Sequence, residues 1–128
     1  MSCLLSCLGS GNAAQSQTLA SLKGTVWDFH EAFKDPGDWS AKGYSKTADW
    51  KSGAAPLGFS NSWPGGGTAL TKGSALVYFF RLEFAAPSAP QCWRNLTLSL
   101  VRDDGAVVYL NGKEIARSNM PAVRHALL

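Results

Sequence analysis

Residues able to carry chemistry are scarce in this chain of 128 residues. There are two histidines, His30 and His125, and they lie far apart in the sequence. The three cysteines, Cys3, Cys7 and Cys92, form an odd set with no C-x-x-C pair. Their spacing encodes neither a disulfide framework nor a zinc site. No run of about 18 apolar residues occurs, so no helical membrane span is expected. A Walker loop and a G-x-S-x-G elbow are both missing, and Gly65-Gly66-Gly67 is not followed by Lys-Ser or Lys-Thr. Charge is sparse as well. Only 16% of residues are charged, and the net charge of +3 comes from basic residues scattered singly between Lys23 and Arg124. Nucleic-acid binding calls for a basic stripe or patch, and none is present. Neither an internal repeat nor a heptad pattern is found.

What the chain does contain is apolar residues, turns and tryptophan. Hydrophobic residues make up 45%, enough for the core of one domain. Glycine (13) and proline (6) break the sequence into short runs, which favours an all-β sandwich over a helical bundle. The stretch Leu96–Pro121 reads as three short strands with tight connections at Asp104-Gly105 and Asn111-Gly112. In it Leu96, Leu98 and Leu100 alternate with Thr97 and Ser99, Ala106–Leu110 reads as a central strand, and Lys113–Arg117 as an edge. Residues 75–84, ALVYFFRLEF, form the clearest strand. Leu76, Tyr78, Phe80, Leu82 and Phe84 are expected on its core face, with Arg81 and Glu83 meeting water on the other. Thr25–Phe29 has strand character, and Pro87 and Pro90 suit a crossover between sheets. Residues 1–22 lack turn chemistry and read as a disordered tail ahead of a sandwich spanning 23–128. The opening MSCLLSCLGSG has no basic region and is too short for a normal signal peptide.

The candidate sites divide into polar and aromatic groups. Asp103 and Asp104 are adjacent carboxylates, but strand neighbours point to opposite faces. A glycosidase needs two carboxyl groups facing each other across a bond, so turn chemistry is the better reading of this pair. Asp28 and His30 share a strand face with Glu31 beside them, yet no further ligand has metal-site spacing, and a solvated strand end is expected. No catalytic residue, metal site or cofactor is assigned. The aromatic residues Trp39, Tyr44, Trp50, Phe59 and Trp63 crowd the irregular region 39–68. Exposed rings stack on flat ligands such as the apolar faces of sugars, which makes Trp50, Trp63 and Tyr44 the candidate ligand-binding residues. The competing reading is that these rings pin the long loop to the sandwich. Asn95-Leu96-Thr97 is a glycosylation sequon at Asn95.

Three segments, DWKSGAAPLGF (49–59), VYFFRLEF (77–84) and LSLVRDDGAVVYLNGKEIARSNMP (98–121), together resemble a known family. It is the galactose-binding-like β-sandwich, a jelly-roll accessory module of large secreted proteins. Such modules accompany purple-acid-phosphatase-like metallophosphoesterases, spore-coat-type kinases, lamin-tail domains and surface anchors. The resemblance covers about Thr25 to Pro121 and implies a non-catalytic module, either carbohydrate-binding or adhesion-type. The alternative it implies is a structural accessory domain of a metallophosphoesterase, any hydrolase activity belonging to the parent protein. The implied partner is a glycan or a neighbouring catalytic domain; the scattered charge and the short apolar runs add the expectation of no nucleic acid and no membrane span. The implied location is extracellular or the cell surface. The matching Asp-Gly and Asn-Gly positions read as determinants of shape. The family continues past Asn-Met-Pro with closing strands. The expectation is therefore a sandwich truncated at its C-terminus.

Overall fold

The computed structural model describes residues 1–8, 16–59, 66–86 and 96–122. These residues form an all-β structure of four small sheets. One is antiparallel, with β1 (Ser2–Leu8) between β2 (Ser16–Ala20) and β8 (Leu96–Val101). Another is antiparallel, with β3 (Val26–Ala32) between β4 (Lys51–Ala54) and β7 (Val77–Arg81). β9 (Ala106–Leu110) and β10 (Lys113–Ser118) make a hairpin, and β5 (Leu57–Gly58) pairs in parallel with β6 (Thr68–Ala69).

The described residues 1–8 and 16–22 do not form the tail expected from their composition. They supply β1 and β2, and Leu5 and Ala20 are buried. The register of β1 is set by a distant strand, from Ser2 opposite Val101 to Cys7 opposite Leu96. Strand formation depends on such partners more than on local preference, so composition alone does not reveal it. The sheet order corrects the expected hairpin at Asp104-Gly105. β8 is the outer strand of its sheet and pairs with β1, whereas β9 pairs with β10. Asp104-Gly105 is thus a step between two sheets. Asp104 takes φ +60°, and a side chain at Gly105 would collide with the Asn119 carbonyl and Met120. Asn111-Gly112 is a true hairpin turn, both residues holding the positive φ that such turns need. Alternation along β8 follows the sequence, with Leu96, Leu98 and Leu100 half-buried and Thr97, Ser99 and Val101 exposed. β9, expected at the centre of a sheet, is half-buried throughout and pairs only with β10 among the described residues.

Both faces of the β4-β3-β7 sheet are covered. Phe29 and Phe80 sit opposite each other on one face. There they meet Leu57, which is 0% exposed, together with Ala55, Met1, Trp27 and Leu70. On the other face Phe79 is 7% exposed and lies opposite His30. The sequence placed only one face inward, and it placed Leu76 there. Leu76 falls just outside the last pair, Ala32 with Val77, and is 72% exposed.

The segment carrying Leu57 is fastened by backbone bonds on several sides. Ala55 N–H donates to the Thr25 carbonyl, Leu57 N–H to that of Met1, and Thr68 N–H to that of Pro56. Gly53 leaves room for the Thr68 side chain, whose hydroxyl donates to the Ala54 carbonyl over 2.9 Å. Leu57 therefore fills a site with little freedom to collapse. Leu57→Ala is expected to destabilise the fold by about 2–5 kcal/mol. Urea denaturation measures this, with the exposed Ile115→Ala as a control expected to shift far less.

Candidate functional site

Beyond β3 the chain turns at Asp35, whose carboxylate accepts the Gly37 N–H over 2.8 Å. Residues 38–50 then proceed by short turns, in which Ala41, Tyr44 and Trp50 donate backbone N–H groups to Asp38, Ala41 and Thr47. This loop lies across the face of β3 and β7 that carries Asp28, His30, Phe79 and Arg81. Alternation puts these four side chains on one side, and the register sets Asp28 opposite Arg81 and His30 opposite Phe79.

Aromatic contacts hold the loop down. Trp50 stacks on His30 with ring centroids 5.4 Å apart and planes 24° from parallel. Tyr44 meets Trp50 edge-on at 5.9 Å. Trp39 meets Phe79 at 5.1 Å and Tyr109 of β9 at 5.6 Å, in both cases edge to face. Such pairs contribute beyond the area they bury. The indole N–H of Trp50 is buried with no acceptor among the described residues.

Polar contacts complete the attachment. The Arg81 side chain is 9% exposed. Its Nη1 donates to the carbonyls of Trp39 and Ala41, both at 2.9 Å, and its Nη2 donates to Glu83 at 2.6 Å. The guanidinium also lies 5.8 Å from the centre of the Tyr44 ring. Asp28 accepts hydrogen bonds from Lys46 of the loop and from the Ser52 hydroxyl of β4. His30 Nε2 is 3.5 Å from the Asp49 carboxylate.

The carboxylates are held ionised. Burial works to raise the Asp28 carboxyl, but the bonds from Lys46 and Ser52 and the charges of Lys46 and Arg81 outweigh it and keep it below the ordinary range. Glu31 behaves alike: burial raises it, while the Thr71 N–H and Lys51 bring it down further. The exposed Asp49 is lowered chiefly by the Thr47 hydroxyl.

The structure brings together only some of the residues singled out in the sequence. Asp28 and His30 do share a face, whereas Glu31 lies on the other, bonded to the Thr71 N–H at 2.7 Å and to Lys51 at 3.0 Å. Asp103 accepts the Asp104 N–H, and the Asp104 carbonyl accepts from Arg102 and Asn119, so this pair shapes a turn. Among the described residues no three His, Cys, Asp or Glu side chains are grouped to hold a metal ion. Trp50 and Tyr44 are half-buried in the loop contacts. Trp63, Asn95 and His125 lie outside the described residues. Arg81 and Lys46 were missed. Arg81 carried one usable signal, a charged residue within the most apolar strand.

Comparison with protein-family models, with curated proteins and with solved structures found no match. The galactose-binding-like resemblance thus rests on the sequence motifs alone.

The lowered Asp28 carboxyl ties stability to pH. Its folded-state value lies below its unfolded one, so its contribution is present above the unfolded value and lost as pH falls through the folded value. Asp28→Asn is expected to cost about 0.5–1 kcal/mol near neutrality, modest because the pair is partly exposed. Urea midpoints taken from pH 7 down to pH 2 should show this gap closing at the acid end. A gap that stays constant with pH would assign the loss to packing.

Proposed function

We propose that the chain is a non-catalytic jelly-roll module of a larger secreted or surface protein, working by contact and not by chemistry. The state of its acids supports this reading. Asp28, Glu31 and Asp49 are each held below the ordinary carboxylate range by a dedicated donor. Their oxygens are spent on bonds that hold the loop and the neighbouring segments in place, from Lys46 and Ser52, from Thr71 and Lys51, and from Thr47.

Two contact roles follow from the resemblance, carbohydrate binding and structural docking beside a metallophosphoesterase. A glycan platform needs rings that present a free face, and of its three candidate residues Trp63 lies outside the described residues. A specific observation favours docking. The described rings of Trp39, Tyr44 and Trp50 are turned onto one another and onto the sheet. Apolar exposure is found instead at the end of β3 and β7. There Phe33 is 58% exposed, Leu76 stands free, and Phe59, 53% exposed, rests edge-on against Tyr78. Large apolar side chains left exposed suit an interaction surface, which a neighbouring domain would cover.

Affinity electrophoresis through polysaccharide gels separates the roles. The docking role expects no retardation by any polysaccharide, with Trp63→Ala and Trp50→Ala migrating as the unmutated chain does. Retardation abolished by either substitution, with the circular dichroism spectrum retained, would establish the carbohydrate role instead.

A further inference from the structure

A second feature lies away from the loop and apart from both contact roles. β8 and the β9–β10 hairpin present apolar faces to each other across an open cleft of about 270 Å³. We propose that this cleft binds a small amphipathic carboxylate, an alkyl chain of medium length ending in a carboxylate group.

The cleft exists because its two walls are unequal. Leu98 and Leu100 line the β8 side. On the hairpin side the inward pairs are Val108 with Ala116 and Ala106 with Ser118, all short side chains. Facing sheets normally interdigitate with few voids, and residues this small cannot reach across. Ligand pockets commonly run from about 300 to 1,000 Å³, so a space this size suits a short flexible chain better than a fused ring system.

Charge selects the head group. Arg102 spans one end of the cleft, its Nη2 donating to the Ser118 hydroxyl at 2.7 Å and its Nη1 to the Asp104 carbonyl at 2.6 Å. No described carboxylate pairs with it. The nearest in sequence, Asp103, accepts the Asp104 N–H instead. Arg117, also at the cleft, is by contrast committed to both oxygens of Glu114 and to the Pro121 carbonyl. The site therefore offers hydrocarbon walls and one guanidinium still able to donate. Arg102 is exposed and its charge hydrated, so a neutral apolar ligand would make no use of it, and a bare anion would leave the walls wet. An alkyl carboxylate satisfies both, the guanidinium being suited to a carboxylate.

Octanoate, octanol and acetate, titrated into the isotopically labelled chain and followed by NMR, test the assignment. Octanoate is expected to produce saturable shifts at the methyl groups of Leu98, Leu100 and Val108, with acetate producing none. Arg102→Gln should weaken octanoate by up to about fivefold and leave octanol unchanged, as loss of an ion pair at an exposed guanidinium predicts. Val108→Phe should fill the cleft and abolish the octanoate shifts. If that variant does not fold, Ala116→Leu fills the cleft from the exposed strand β10. Absence of saturation, shifts centred elsewhere, or equal loss of octanoate and octanol in Arg102→Gln would each overturn the proposal.

Discussion

The nearly buried guanidinium of Arg81 is the interaction on which the architecture around β3 and β7 depends. A cation removed from water must find acceptors, or its desolvation goes uncompensated. Glu83 supplies one, but it is two residues away on the same chain segment and highly exposed. The other acceptors are the carbonyls of Trp39 and Ala41, which become available only when loop 38–50 lies on the sheet. Loop closure and burial of Arg81 are therefore one event. Once the loop is down, Trp39 covers Phe79 and Trp50 covers His30, so the face turned from the Phe29–Leu57 core gains an apolar layer of its own. Lys46 reaching Asp28 adds a weaker tie, because that pair is still partly open to solvent.

This dependence explains which parts of the structure the sequence reveals. Alternation is a local signal, and where a strand has one buried face it reads correctly, as in Leu96–Val101 with its leucines in and its polar residues out. The Asn111-Gly112 turn is local too, since positive φ is a property of those two residues. What fails is whatever a distant segment decides. Arg81 looks solvent-facing until a loop some forty residues earlier is laid over it. β1 looks like a tail until β8, at the other end of the chain, supplies its hydrogen bonds. Asp104-Gly105 has hairpin composition, but β8 pairs with β1 and β9 with β10, so it joins two different sheets. The site was legible in type but not in arrangement. The aromatic crowding of region 39–68 was plain, whereas the turning of its rings onto the sheet depended on Arg81 and His30, which the loop sequence does not contain.

The same logic governs the β9–β10 hairpin. A two-stranded ribbon is marginal by itself in water. Among the described residues its ties to the rest of the molecule include Tyr109 against Trp39 and Ser118 against Arg102, at opposite ends of the ribbon. One tie passes through the loop that Arg81 secures, and the other stands at the mouth of the cleft. These two contacts hold the ribbon near its two ends. Filling the cleft would add apolar contact between the ribbon and β8. Releasing Trp39 would loosen the hairpin from its other end. Loop and cleft are therefore joined through one short ribbon. The weakness of that ribbon in isolation is what would make it responsive to events at either end.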